Sequence, residues 1–249
     1  MMAEKNDFLK TPVWYPILAA HTFLTSFVLL RPEAVTALAM GEIVGGKSHP
    51  EVEAAIESLR QPMSVIPGNC FVSVDCCAPT DTERFIYKHG AVFSPESAWR
   101  YLALSRKVRT AAANGEVQNI CLRSFRRMNR TREFRLFIKD GKLVAMSQYH
   151  LIRHFRRLEG DKQGFLKRAE EFVNQISWLL PIKDLVMDVY FTAEHRILIV
   201  DLNAWGEPTD PLLMRTWDRD WSEPAGIVLM PSPVAICKDE KVAQYGVGI

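Results

Sequence analysis

From Glu133 to Lys139 (EFRLFIK) polar Glu133 and Arg135 are interleaved with apolar Phe134 and Leu136, and an apolar run to Ile138 follows, which reads as a strand. Asp140-Gly141 follows, a type I′ turn signal, and Lys142–His150 returns as a second strand. A hairpin closed by that turn opposes residues whose numbers sum to 281. It sets Arg135 across from Met146 and Glu133 across from Gln148. Glu133, Arg135 and Gln148 then share one face, and Phe134, Leu136 and Ile138 the other. A second pair of β-prone runs, Val186–Phe191 and Ile197–Asn203, flanks the polar stretch Thr192–Arg196. Centring that hairpin between Glu194 and His195 puts Asp188 opposite Asp201.

Elsewhere the pattern changes period. Phe165, Leu166, Ala169, Phe172, Val173 and Ile176 recur at helical spacing within Asp161–Ile176. Pro32–Met40, Pro50–Leu59 and Ser94–Arg109 also predict helices, the last with a Ser-Pro start. Gly41–His49 reads as a loop and Pro62–Gly68 as a turn. Phe71–Val74 and Val117–Leu122 predict short strands, and Phe125–Thr131 a basic loop. Pro12–Leu30 is apolar and about long enough to span a bilayer. Pro16, His21, Thr22, Thr25 and Ser26 interrupt it and favour a buried core segment. Beyond Trp217 the chain reads as irregular. Strands pairing mostly as hairpins predict an α+β class, with antiparallel sheets and helices on one side of each.

Composition narrows the function classes. Among 249 residues, 31 basic and 29 acidic side chains leave a net charge of +2, which argues against a dedicated polyanion binder. Five cysteines, with Cys76 and Cys77 adjacent, fit neither a disulfide framework nor a CxxC metal site. Reduced thiols in a cytoplasmic compartment are the expectation. His150 and His154 lack the further soft ligands that zinc needs. Ser147 lacks a nucleophile-elbow context. Gly41, Gly46, Lys47 and Ser48 satisfy the phosphate-loop spacing. A helix-like segment precedes them and His49-Pro50 follows, so the strand–loop–helix context is missing. Arg123, Arg126, Arg127, Arg130, Arg132 and Arg135 form a basic stretch, with Arg153, Arg156 and Arg157 further on. A solvated basic loop with some Arg–Glu pairing is the favoured reading, ahead of nucleotide phosphate contact and of RNA binding.

The opposed carboxylates are the sharpest chemical signal. Asn203, two residues past Asp201, projects to the same face. Two acids and an amide oxygen converge with no basic residue between them. Like charges directly opposed repel. A hard cation such as Mg²⁺, commonly held by one or two carboxylates plus nucleotide phosphates, relieves that repulsion. A solvated hairpin face carrying two unrelated acids is the alternative.

In order along most of the chain, several segments resemble the cell division cycle protein 123 (D123) family, a divergent branch of the ATP-grasp superfamily. They are Trp14-Tyr15-Pro16, Phe71 through Asp81, Leu122-Arg123, Glu133-Phe134-Arg135 and Ser147-Gln148. Asp188-x-Tyr190, Asp201-Leu202-Asn203, Gly206 and Thr209-Asp210 complete the set. The resemblance implies two α+β lobes clamping ATP and Mg²⁺ between antiparallel sheets. It implies a lobe over 1–118, a hinge and second lobe over 119–230, and a tail over 231–249. It assigns Asp188, Asp201 and Asn203 to Mg²⁺ and phosphates, Arg135 to a phosphate with Gln148 beside it, and Arg123 to the adenine hinge. It implies a protein client, such as the gamma subunit of translation initiation factor 2 or a related GTPase. An ATP-dependent carboxylate–amine or RNA ligase, and a scaffold that has lost its nucleotide, are the alternatives. Three positions depart from the family: Ser73 replaces a phosphate-directed lysine, Tyr149-His150 replace a charged pair, and Ala204 replaces a proline.

Overall fold

A computed structural model of the chain describes residues 7–43 and 50–233. Helix α1 (Thr11–Leu18) leads through a short 3₁₀ turn to β1 (Thr25–Leu29). Then come α2 (Pro32–Met40), α3 (Pro50–Ser64), β2 (Cys70–Val74), α4 (Glu83–Lys88), α5 (Pro95–Leu104) and α6 (Arg106–Ala113). Strand β3 (Asn119–Ser124) precedes the hairpin β4 (Glu133–Lys139) and β5 (Lys142–Gln148). Helices α7 (Arg156–Gly160) and α8 (Lys162–Ile176) follow, then β6 (Leu185–Phe191), β7 (Ile197–Ala204) and the short β8 (Gly226–Val228). A three-stranded antiparallel sheet has the order β1-β3-β2. A five-stranded sheet has the order β7-β6-β4-β5-β8, with only β8 parallel to its neighbour. The α+β class with antiparallel sheets is therefore present.

Each sheet buries one face under helices. Val72, Val74, Ile120 and Leu122 of the small sheet pack with Leu38, Leu59, Trp99 and Leu102 of α2, α3 and α5. Phe134, Leu136, Ile138, Met187 and Val189 of the large sheet pack with the α8 stripe Ala169, Phe172, Val173 and Ile176. That second core also takes Trp14 and Leu18 of α1. Strand β3 is the centre of the small sheet, and α1 belongs to the core of the large one. The apolar run Pro12–Leu30 is divided between α1 and β1, and among the described residues no helix is long and apolar enough to cross a membrane.

Local chemistry explains the element ends. The helix expected over Ser94–Arg109 is two helices. Ser94 and Ser97 cap α5 reciprocally, and Ser105 interrupts the pattern. The Ser105 hydroxyl accepts from the Val108 N–H at 3.2 Å and donates to Asp81, making it the N-cap of α6. Helix α2 ends on Gly41 in the left-handed region (φ 74°). The helix that argued against a phosphate loop is thus in place, while Gly46, Lys47 and Ser48 lie outside the described residues.

Two bulges set the register of the large sheet. Asp140 and Gly141 both have positive φ, as a type I′ turn requires, and Ile138 pairs with Leu143. Past Phe137 the pairing slips by one, so Arg135 opposes Ser147 rather than Met146. Gln148 therefore pairs with Phe134 and lies on the opposite face from Glu133 and Arg135, which corrects the shared face expected for the three. In the other hairpin Phe191 pairs with Ile197 and Val189 with Ile199, which centres the loop on Glu194. A bulge at Val200 then restores the pairing of Asp188 with Asp201.

Candidate functional site

Three strands deliver the acidic site. Arg135 on β4, Asp188 on β6 and Asp201 on β7 are directly opposed neighbours across the large sheet, on its face away from α8. Arg135 donates from Nε to Asp188 Oδ1 at 2.7 Å and from Nη2 to Oδ2 at 2.8 Å. Its Nη1 donates to the Asp210 carbonyl at 2.6 Å, and its guanidinium lies over the Tyr149 ring at 5.4 Å. Both charged side chains are buried. Burial works against the charge of Arg135, but the hydrogen bonds and the charge of Asp188 outweigh it and raise its pKa. The absence of a basic residue among the acids, expected from sequence, is thus corrected. Arg135 neutralises Asp188 in a bidentate pair.

Asp201 is placed differently. It is partly buried, and among the described residues its Oδ1 accepts only from the Leu202 N–H, at 3.0 Å. Burial first, and then the charge of Asp188, push its carboxyl up to about 7, with Arg123 acting in the other sense. Asn203 completes the group, its Nδ2 donating to Asp188 Oδ2 at 3.2 Å. Asp188, Asp201 and Asn203 are therefore brought together. Gln148 is not. It is fully buried on the other face, donating to the carbonyls of His150 (2.6 Å) and Arg153 (3.0 Å) and accepting from the Met230 N–H.

The small sheet contributes Arg123. Residue pairs Phe71–Arg123 and Ser73–Cys121 put Arg123 on the same face as Ser73, one strand across and two residues along. Its Nε donates to Thr25 Oγ1 at 3.1 Å, and its Nη1 donates to the Val200 carbonyl at 3.0 Å. That carbonyl belongs to the bulge that aligns Asp201. Thr22 Oγ1 donates to the neighbouring Ile199 carbonyl at 2.7 Å. The edge of the large sheet is thereby tied to the small one.

Sequence reasoning missed Tyr149 and the Asp210 carbonyl as parts of the site. Asp210 was present only as a member of a family-like block, and Tyr149 only as a departure from the family pattern. Beside Arg135 and Asp188, Phe137 and Val186 pack under Trp221 and Met214, with Trp205 and Trp217 against them. This aromatic cover holds the Gly206–Leu213 segment that presents the Asp210 carbonyl.

The basic stretch goes elsewhere. A cleft of about 290 Å³ is lined by Arg132, Arg157, Arg168, Phe165, Phe191 and Thr192, among others. A second, of about 190 Å³, has Arg126, Arg127 and Arg132 with Tyr190 and Glu194. Neither includes Asp188, Asp201 or Asn203.

Residues 100–223, about half of the chain, match the family model D123. The chain belongs to the D123 family. A Xenopus tropicalis protein named "Translation initiation factor eIF2 assembly protein" is 34% identical over 94 residues, covering 36% of this chain and 28% of the relative. A Candida glabrata protein named "Cell division cycle protein 123" is 35% identical over 102 residues, covering 40% and 28% respectively. The matches span only about a quarter of the length of these curated relatives. The structure of C-terminally truncated Cdc123 from Schizosaccharomyces pombe superposes with a TM-score of 0.77 at 20% identity, covering 92% of this chain and 98% of that one. At that identity the likeness establishes a shared fold.

Proposed function

We propose that this D123-family chain binds ATP with Mg²⁺ between its two sheets and acts as an assembly factor on a protein client. The observation that carries the reading is Asp201, a carboxylate with one backbone hydrogen bond and no bonded cation among the described residues, facing an acid that Arg135 holds in place. The donor set is oxygen only, which suits a hard cation. Among the described residues no group of three or more His, Cys, Asp and Glu side chains could hold a metal unaided. Two carboxylates and an amide instead fit Mg²⁺ that arrives with phosphate oxygens. Asp201, Asp188 and Asn203 would hold the ion, which when bound would screen the triphosphate charge.

The remaining residues position this set. Arg135 spends three of its five N–H groups on Asp188 and the Asp210 carbonyl, which orients Asp188 and leaves one N–H on each of Nη1 and Nη2 for a phosphate oxygen. Arg123 supplies the cation on the small-sheet face where Ser73 replaces the family's lysine, and it fixes the bulge behind Asp201. The client class follows the names of the relatives, with translation initiation factor 2, its gamma subunit or a related GTPase as the partner to test in a cytoplasmic setting. A scaffold without nucleotide is the second reading, favoured by Ser73 and by the neutralisation of Asp188.

Thermal unfolding with ATP, with Mg²⁺ and with both separates them. Ligand at about a hundredfold over Kd stabilises the native state by about 2.7 kcal/mol. A rise in midpoint that needs both ligands supports the nucleotide site. No rise at saturating ATP and Mg²⁺ rejects it in favour of the scaffold.

A further inference from the structure

On the α8 side of the large sheet, at the tip of the β6–β7 hairpin, lies the larger basic cleft. It is not part of the acidic site, because Phe191 on its wall and Asp188 are three residues apart on one strand and project to opposite faces. Arg132, Arg157 and Arg168 line it against a single carboxylate, Asp161. Asp161 is taken by Arg168 at 2.8 Å. Among the described residues, Arg132 and Arg157 have no carboxylate within salt-bridge distance. Arg168 is further fixed over the rings of Phe165 (4.8 Å) and Phe191 (5.9 Å), and its Nε is buried without an acceptor. A guanidinium held by stacking, with an unmet donor, lies beside Arg157 and beside Arg132, on which Glu194 acts only from beyond salt-bridge distance, and the three form a preorganised arrangement for an oxyanion.

We propose that this cleft binds an oxyanion side chain, a carboxylate or phosphoryl group, in an acidic segment of a polypeptide partner. The proposal stands apart from the nucleotide reading and concerns the opposite face of the sheet. Size and walls choose the occupant. A volume of about 290 Å³ accommodates a side chain but falls at or below the range of whole-ligand pockets, roughly 300–1,000 Å³. Single-stranded nucleic acid needs free aromatic faces for stacking. Phe165 has none to spare, being packed against Phe134, Phe191 and Arg168, and Phe191 is itself buried. A net charge of +2 for the whole chain also favours a local anion site over a polyanion track.

The test is fluorescence anisotropy on the full chain with short labelled peptides. One alternates glutamate and glycine, one carries phosphoserine in place of glutamate, and one carries glutamine. Unlabelled oligothymidylate is the competitor. Both or either of the anionic peptides should bind and the glutamine peptide should not. Tighter binding of phosphoserine identifies a phosphoryl group as the source, and equal binding a carboxylate. The double variant Arg132→Glu with Arg157→Glu should weaken binding by about tenfold or more, through loss of charge-assisted hydrogen bonds. Its melting midpoint should match that of the parent. Should the double variant fail to fold, Arg157→Gln alone should still weaken binding severalfold. No binding of either anionic peptide, unchanged affinity in the folded variants, or displacement by oligothymidylate below peptide concentrations would each overturn the proposal.

Discussion

The two sides of the large sheet use arginine in opposite ways. On the acidic side Arg135 is buried, with every guanidinium nitrogen donating, and it holds Asp188 and the Asp210 carbonyl. On the α8 side Arg132 and Arg157 line a cleft with no carboxylate within salt-bridge distance of either among the described residues. The first arginine is committed to the framework through three of its five N–H groups, and the group beside it that carries no ion pair among the described residues is a carboxylate, Asp201. The second pair leaves its own charge available. Residue type therefore says little about which group meets a ligand. The deciding quantity is which hydrogen-bonding capacity the fold has left unspent.

The sharpest way to break this contrast is Arg135→Ala. It would strand the buried Asp188 without its partner, and we expect a loss of about 3–5 kcal/mol in urea unfolding at neutral pH. A loss below about 1 kcal/mol would place the pair in solvent-like surroundings and erase the distinction.

Asp201→Asn should act in the other direction. In the folded chain Asp201 titrates at about 7, against roughly 4 for an unfolded aspartate. The folded state holds that proton more tightly. The contribution of Asp201 to stability is thus greatest below about pH 4, falls as pH rises from about 4 to about 7, and levels off above. That difference corresponds to about 4 kcal/mol at most, and partial solvent access reduces it to roughly 2. The asparagine variant should lack the slope and be more stable than the parent at pH 8. It should also lose Mg²⁺-dependent stabilisation by ATP. In the parent, that stabilisation should strengthen as pH rises through about 7, because the ion requires the carboxylate. A pH-independent parent would remove the basis for singling out Asp201.

The smallest effect sharpens the comparison from the other side. Arg157→Ala should change unfolding free energy by no more than about 0.5 kcal/mol, as for an exposed side chain without partners. A larger cost would mean that Arg157 is framework after all.

Much of this was legible in the sequence. The strand Glu133–Lys139, the Asp140-Gly141 turn and the α8 stripe each followed from local composition, period and turn chemistry. The pairing of Asp188 with Asp201 was also anticipated, but two displacements cancelled in producing it. The loop is centred on Glu194, one half-step from the assumed centre, and the Val200 bulge compensates. Where no second displacement intervened, the same reasoning put Gln148 on the wrong face. The counter-charge of Arg135 was missed for the same reason, since the strand order that sets β4 beside β6 joins residues 53 positions apart.

Sequence alone thus determined most of the strands and long helices from β2 to β7, which turn closes the first hairpin, and which residue types could meet at the second, but not α1, β1, α4, α7 or β8. Only the tertiary structure decided register. A bulge leaves a residue outside the ladder, and its backbone groups must find partners elsewhere. The carbonyl of Val144 accepts from the Ala225 N–H at 2.8 Å, next to β8, and that of Val200 accepts from Arg123 on the small sheet. Those partners are distant in the chain, so no local pattern could announce where each bulge would fall. One bulge turned Gln148 away from the acidic site and the other turned Asp201 into it.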